Sequence, residues 1–386
     1  MTSAPRATRI VHMTTVHRPF DTRIFHKECV SAAAAGYDVT LLQRGEVEQT
    51  VAGVRVLPLP SYTSRLKRMT LGVWRAVRLA RRARADIAHF HDPELIWGSF
   101  LLKLSGVRVV YDIHENLHLD IAAKQWVPGW AKRPLGVATL GLEQVAGFFF
   151  DHVVAATDGI AQRFPARKTT LVRNSPILDD LRVAESATPF RERAPNMIYI
   201  GGLGGGGDVK GVDLMLNALA VLPDESPIRL LLGGPEPAPG FVDALKARKG
   251  GHRIDYLGYV DPKDLGKYYA QAIGALVLYP PMPNNIASEP VKLFEAMAAG
   301  VPTIISDFPL FREYIATADC GFALDPTDAA EVARRMIELE ANRDAAEAMG
   351  ARGRRYAETE RNWSIFAKRL ENVYRGLAPK RGGPAA

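Results

Sequence analysis

Cysteine is nearly absent from this 386-residue chain, which contains only Cys29 and Cys320. Far apart in sequence, the two form neither a metal-ligand spacing nor a disulfide framework, so a reducing, cytosolic setting is expected. Long apolar runs are also missing. No stretch reaches the roughly 18–20 uninterrupted apolar residues of a membrane span, and the nearest, Gly136 to Ile160, is broken by Glu143, Gln144, Asp151 and His152. Met1 to Arg9 is polar and the apolar run after it is short, which argues against a signal peptide. The chain contains no internal repeats and no nucleic-acid recognition module of a known type, so nucleic acid is not an expected partner.

Acidic residues are absent between Arg65 and Asp86, where Arg65, Lys67, Arg68, Arg75, Arg78, Arg81, Arg82 and Arg84 crowd together. At helical spacing Leu66, Met69, Val73, Val77 and Ala80 make one stripe, Arg75, Arg78 and Arg82 another, and Trp74 sits at an edge. The apolar stripe suits packing on a sheet. The basic face suits an anionic membrane surface, in keeping with the net charge of +7.

Length and a hydrophobic content of 47% suit two domains of about 150–200 residues, each with its own core. Strand signals recur in the first half at Arg9 to Met13, Tyr37 to Leu42, Val54 to Leu57, Ile87 to Phe90, Val107 to Tyr111 and His152 to Ala155. They recur in the second half at Met197 to Ile200, Ile228 to Leu232, Ile254 to Leu257, Ala275 to Leu278 and Thr303 to Ile305. Helical patterns separate them, including Ile24 to Ala35, Arg65 to Arg84, Gly211 to Val221, Pro239 to Lys249 and Lys263 to Gln271. Alternation of this kind predicts an α/β protein with two doubly wound, Rossmann-like domains, each a mostly parallel sheet covered on both faces. The expected divisions are residues 1–180, residues 190–355, a helix over 356–378 and a disordered tail over 379–386. Ligands of such sheets lie outside the carboxyl ends of the strands, so two facing domains would enclose an interdomain cleft.

The loops at those strand ends carry the chemistry. Gly201-Gly202-Leu203-Gly204-Gly205-Gly206-Gly207-Asp208-Val209-Lys210-Gly211 follows one strand and opens a helix. Glycines let amides approach an anion, the helix start adds donors, and Lys210 can neutralise a diphosphate. The run also fits G-x-G-x-x-G, but in mid-chain with no clear ribose acid after it, which leaves a dinucleotide oxidoreductase as a weak alternative. Ser288-Glu289-Pro290-Val291-Lys292-Leu293-Phe294-Glu295-Ala296-Met297-Ala298-Ala299-Gly300-Val301-Pro302 reads as loop, helix and turn. Lys292 and Glu295 share a helix face there, where a charge and an acid suit a nucleotide diphosphate sugar. In the first half, His17-Arg18-Pro19-Phe20-Asp21-Thr22-Arg23, His89-Phe90-His91-Asp92 and Asp112-Ile113-His114-Glu115 end three strands. Arg23 can meet a phosphate and Asp21 a hydroxyl. Alternatively, Asp21 caps the helix and Arg23 pairs with Glu28 on its surface.

The 288–305 segment resembles the retaining GT-B glycosyltransferases of family 4 (glycosyl transferases group 1), many of which carry Pro-x-Lys-Leu-Phe-Glu-x-Met-Ala-Ala-Gly-x-Pro-x-Ile here. A subset is also similar over His-x-Pro-x-Asp-x-Arg-Ile-Phe-x-Lys-Glu. The resemblance implies a GT-B fold with a final helix crossing back to the first domain, and a nucleotide diphosphate sugar as donor. It places Gly201, Gly202 and Lys210 at the diphosphate and Tyr259 and Val260 beside the base. It places Glu295 at the ribose, with Lys292, Ser288 and Glu289 nearby. His114 would approach the reacting carbon with Asp21 and Arg23, and His17, His91 and Glu115 would face the acceptor. The family's usual first acid is Ala287 in this chain, and many members carry an arginine where Gly202 stands.

Such an enzyme would move a sugar to a hydroxyl of a glycan acceptor, with retention and, lacking an Asp-x-Asp pair, without a metal or other cofactor. Trp126-Val127-Pro128-Gly129-Trp130 and Phe148-Phe149-Phe150 join the basic helix in suggesting a lipid-linked, polyprenyl-type acceptor. That implies exopolysaccharide or cell-envelope assembly at the inner face of the membrane. A nucleotide-sugar 2-epimerase, or a non-catalytic nucleotide-sugar-binding partner in an assembly complex, shares the same architecture and stays open.

Overall fold

The computed structural model describes residues 6–114, 116, 121, 127–184, 187–204 and 211–379. It divides into two units, Met1–Asn174 with Ser364–Ala386, and Ser175–Trp363.

The first unit is built on an eight-stranded sheet. Its strands are β1 (Arg9–Met13), β2 (Asp38–Arg44), β3 (Gln49–Val51), β4 (Val54–Leu59), β5 (Ile87–Phe90), β6 (Arg108–Ile113), β7 (His152–Ala155) and β8 (Thr169–Leu171). Their order is β3-β4-β2-β1-β5-β6-β7-β8, parallel except for the β3–β4 hairpin at one edge. The second unit holds β9 (Asn196–Ile200), β10 (Arg229–Gly233), β11 (Ile254–Gly258), β12 (Gly274–Val277), β13 (Thr303–Ser306) and β14 (Gly321–Leu324). These pair in the order β11-β10-β9-β12-β13-β14, parallel throughout. Both sheets reverse direction of growth beside their first strand, between β1 and β5 and between β9 and β12. Those are the switch points where such folds bind ligands.

Burial follows from strand alternation. In β9, Ile198 and Ile200 enter one core while Met197 and Tyr199 enter the core on the opposite face. Strands buried on both faces read as continuous apolar runs, which is why they are visible in the sequence. The short β3 and β8 and the glycine-led β14 lack that signature.

The basic segment forms successive helical pieces, Arg65–Lys67, Arg68–Gly72 and Val73–Arg82. Its apolar stripe divides. Val73, Val77 and Ala80 are buried, whereas Leu66 and Met69, expected on the same buried face, are exposed together with Leu71 and Trp74. A 21-residue helix, Gly129–Phe149, follows the sheet's sixth strand. Of the three phenylalanines at its end, Phe150 fills the core while Phe148 and Phe149 face outward.

Candidate functional site

In the second unit the carboxyl ends of the strands are shaped by backbone. Gly201, after β9, donates its amide to the Gly233 carbonyl at 2.9 Å, and Gly234 donates to Gly258 at 2.7 Å. Gly211 opens the helix Val212–Ala220 with a left-handed φ of 77°, and a Cβ there would lie 1.6 Å from the Leu278 carbonyl oxygen after β12. Only glycine fits that turn. Among the described residues no side chain caps this helix or the helix Val291–Ala298, so first-turn amides at both starts are available to an anion.

Lys292 runs across this cradle. A Cβ on Gly201 would fall 1.9 Å from Lys292 Cε, so the bare glycine is what lets the lysine lie there. Its Nζ sits 5.9 Å from the centre of the Tyr199 ring. Burial works against the ammonium, but Tyr279, Tyr199 and the Glu295 carboxylate outweigh it and raise its pKa. The group therefore stays charged. Glu295 lies on the same helix face and is half-buried. Gly202 is exposed, and its carbonyl accepts from the Tyr199 hydroxyl at 2.9 Å. Beyond β11, Tyr259 is exposed and Val260 is buried against Gly233. The Ser288 hydroxyl donates to the Asn285 carbonyl at 2.8 Å. Lys210 and Glu115 lie outside the described residues.

Glu289 does not present its carboxylate to a donor. Its side chain is 6% exposed and accepts from the Tyr314 hydroxyl at 2.9 Å and from Arg361 Nη1 at 2.9 Å. Arg361 in turn stacks on Phe294 and Tyr314. The pair joins the 288–290 loop to the end of the helix Arg343–Glu360.

The first unit places a side-chain network at its switch point. Asp92, after β5, accepts from the Thr14 hydroxyl and from the amides of Thr15 and Val16, and so folds the loop after β1 around one carboxylate oxygen. Its other oxygen lies 3.3 Å from His17 Nε2. His17 Nε2 is also 3.1 Å from His114 Nε2, and both rings remain half-buried. Asp112, at the end of β6, approaches His91 Nδ1 at 3.1 Å and His114 Nδ1 at 3.6 Å. Burial alone would raise the Asp112 pKa, but Arg23 and hydrogen bonds from His114 and His91 hold it well below the usual carboxylate range.

Two expectations change here. Arg23 is buried and gives Nε and Nη2 to Asp112 at 3.0 and 2.9 Å and Nη1 to the Val172 carbonyl at 3.0 Å, with Glu28 also 3.0 Å away. Its charge is neutralised inside the protein and does not reach a phosphate. His91 is 3% exposed with Asp112 on one nitrogen and His12 on the other, so it supports the site and does not touch an acceptor. Asp21 Oδ1 accepts from the amides of Arg23 and Ile24 and caps the helix Thr22–Cys29. Deeper still, His12, Glu28, His89 and Tyr374 complete the network, none of them anticipated as site residues. Burial lowers the pKa of His12 and His89 and raises that of Glu28. Histidine in the strands themselves was the available signal.

Near this network an open groove of about 710 Å³ is lined by Pro19, Arg44, Glu46, Pro60, Ser61 and Arg75. Arg44 holds the His17 carbonyl, and Arg68 of the basic segment pairs with Glu94, which also accepts from Thr15.

Two doubly wound sheets with these loops are the hallmark of a class. The fold matches the sucrose-phosphate synthase of Thermosynechococcus elongatus at TM-score 0.75, 19% identity and coverage of 96% of this chain and 99% of that one. Anabaena Alr3699/HepE, in complex with UDP-glucose, matches at TM-score 0.71 and 14% identity over 95% and 99%. The protein therefore has the GT-B fold. In sequence, residues 22–176 match the glycosyl transferase 4-like domain and residues 186–356 match glycosyl transferases group 1. The phosphatidyl-myo-inositol mannosyltransferase of Mycobacterium leprae is 32% identical over 364 residues, 90% of this chain and 87% of that protein. The chain belongs to the group 1, family 4 glycosyltransferases and is a glycosyltransferase.

Proposed function

We propose that this enzyme transfers a hexose, with retention, from a nucleotide diphosphate sugar to a hydroxyl of a lipid-linked glycan, with no metal ion in the reaction. The observation that carries the donor reading is Lys292 lying across Gly201 at the β9–β12 switch point. A fixed cation, two uncapped helix starts and glycine-lined strand ends stabilise the charge that develops as the diphosphate departs. Lys210 adds a second cation, Glu295 accepts from the ribose hydroxyls, and Tyr259 and Val260 flank the base. Ser288 and Gly202 line the diphosphate.

His114, steadied by Asp112 and His17, donates to the sugar near the anomeric carbon. Asp21 and Arg23 act by positioning, the first as a cap and the second by locking Asp112. The acceptor hydroxyl attacks from the face the diphosphate leaves, and a departing phosphate oxygen takes its proton. His17 and Glu115 contact the acceptor, which the Arg44–Arg75 groove admits.

The mannosyltransferase relative acts, by its name, on phosphatidyl-myo-inositol, which supports a lipid acceptor. So do Leu66, Met69, Leu71 and Trp74, exposed among arginines, and Trp130, Val137 and Phe148 on the helix Gly129–Phe149. An apolar edge within a basic face is how a peripheral protein holds an anionic membrane. Among the described residues no helix is long and apolar enough to cross one. The pathway would then be exopolysaccharide or cell-envelope assembly on the cytoplasmic side.

The test is thermal-shift screening with UDP, GDP, ADP, TDP and their sugars, no divalent ion added, and NAD as control. Stabilisation by one nucleoside diphosphate and its sugars is expected, followed by acceptor-dependent transfer with an unchanged anomeric configuration by NMR. Stabilisation by NAD alone, or donor turnover that needs no acceptor, would sink the transferase reading.

A further inference from the structure

Four wholly buried side chains converge beneath the carboxyl ends of β1 and β5. His12 comes from β1, Glu28 from the helix Thr22–Cys29, and His89 and His91 from β5 and the residue after it. Glu28 Oε2 lies 4.0 Å from His12 Nδ1, 3.9 Å from His89 Nδ1 and 3.9 Å from His91 Nε2. His12 Nδ1 and His91 Nε2 are 3.1 Å apart, and one ligand atom from each of the four residues lies within 4.8 Å of the others. Around a tetrahedral Zn²⁺ with bonds of about 2.0–2.1 Å, neighbouring ligand atoms stand about 3.4 Å apart. To close onto an ion the 3.1 Å pair opens slightly, the Glu28 contacts shorten by about half an ångström and the widest separation by up to about 1.4 Å.

Hydrogen bonding inside the protein links His12 to His91 and holds the imidazoles in place, but it does not account for Glu28. Glu28 Oε1 faces Arg23, but neither Glu28 oxygen accepts a hydrogen bond among the described residues, and the carboxyl is wholly buried. Arg23 lies 3.0 Å from Oε1, so the oxygen left without a close partner among the described residues is Oε2, which faces the three imidazoles, and a buried polar atom in that position is costly. The imidazoles are meanwhile oriented from outside. Asp112 takes the Nδ1 proton of His91, which turns a lone pair on Nε2 toward the cluster, the carboxylate–histidine arrangement common behind metal ligands. The Tyr374 hydroxyl holds His12 Nε2 at 3.1 Å and leaves Nδ1 inward. The same hydroxyl is 2.7 Å from His89 Nδ1, a hydrogen bond that ligation would replace.

We propose that His12, His89, His91 and Glu28 bind a divalent transition metal, Zn²⁺ by its preference for three imidazoles and a carboxylate, as a closed structural site. Four protein ligands leave no position open to substrate or water. The ion ties β1, the helix after it and the end of β5 together, and through His91 and Asp112 it steadies His114.

The experiment uses the full chain without a polyhistidine tag, from zinc-supplemented cells. Elemental analysis after dialysis should find about one zinc per chain. Stripping with a strong chelator should lower Tm by several degrees, and Zn²⁺ should restore it. Co²⁺ in its place should show the intense visible bands of four-coordinate geometry. Glu28→Gln and His89→Gln should each weaken binding by at least about tenfold, while His114→Ala binds as the native chain does. No stoichiometric metal and no Tm shift with Zn²⁺, Co²⁺ or Ni²⁺ would overturn the proposal. So would undiminished binding by a folded Glu28→Gln chain. If both buried variants fail to fold, the Co²⁺ spectrum of the native chain decides, and weak six-coordinate bands or none would overturn it.

Discussion

The two switch points of this molecule sit on sheets that reverse in the same way beside their first strand, and they are furnished in opposite ways. Around β9 and β12 the work falls to backbone. Glycines at the strand ends clear space, helix starts present amides, and Lys292 and Glu295 are the main side chains at hand. Around β1 and β5 the work falls to side chains, in a buried lattice that runs from Arg23 through Asp112 and His91 to His12 and Tyr374. On the function proposed above, the difference follows from what each unit would recognise. A diphosphate is the same in every nucleotide sugar, and a backbone cradle suits any of them. A reacting hydroxyl needs groups held in fixed orientation, and only interlocked side chains hold a half-buried imidazole such as His114 in place.

The sharpest way to break this contrast is at Arg23. Arg23→Met leaves Asp112 and Glu28 buried without their cation and should cost about 3–5 kcal/mol of stability in urea unfolding. A chain of unchanged stability with a raised KM for the donor would restore the phosphate role. In the second unit the large effect should be kinetic. Lys292→Ala should lower kcat/KM by about 10²–10³ without unfolding the chain. Gly201→Ala should approach the same loss while keeping every charge, because its Cβ would occupy the lysine's path. A neutral Gly201→Ala would mean that the lysine need not lie there.

Glu289→Gln separates structure from recognition within the second unit. It should cost about 1–3 kcal/mol through the weakened Arg361 bond and leave donor KM alone. A large rise in KM at unchanged stability would return Glu289 to the donor site. A smaller effect is expected from acid. Burial would raise the Asp151 pKa, but Lys103, the Val109 amide and Arg108 outweigh it and hold it low. Its stabilising share is complete above the ordinary aspartate pKa of about 3.9 and is lost as pH falls through the lower folded value. Asp151→Asn should therefore flatten the acid limb of Tm against pH, and an unchanged limb would count against that pairing. The smallest effect concerns the membrane edge. Leu71→Ser with Trp74→Ser should reduce co-sedimentation with anionic vesicles several-fold while donor affinity is unchanged. Equal binding by the variant would move the contact elsewhere.

Much of this was legible in one dimension. Strands buried on both faces announce themselves as apolar runs, and Gly201, Lys292 and Glu295 sit in local motifs whose chemistry needs no distant partner. The residues misread share the opposite property. Arg23 finds Asp112 from 89 residues away, Glu289 finds Arg361 from 72, and His12 meets Tyr374 across 362. Each looked like a free functional group, or went unnoticed, because its partner lies on another strand or on the last helix. Leu66 and Met69 were misplaced for a related reason, since periodicity finds a stripe but not where the packing under it ends.

By itself the sequence determined the doubly wound class and the family, and it pointed to the glycine-lined strand ends and helix starts proposed as the donor site, because periodicity, glycine and helix starts are properties of neighbouring residues. Only the tertiary structure decided which charges are exposed and which are neutralised inside, because that depends on what the fold brings within about 3 Å of each buried group.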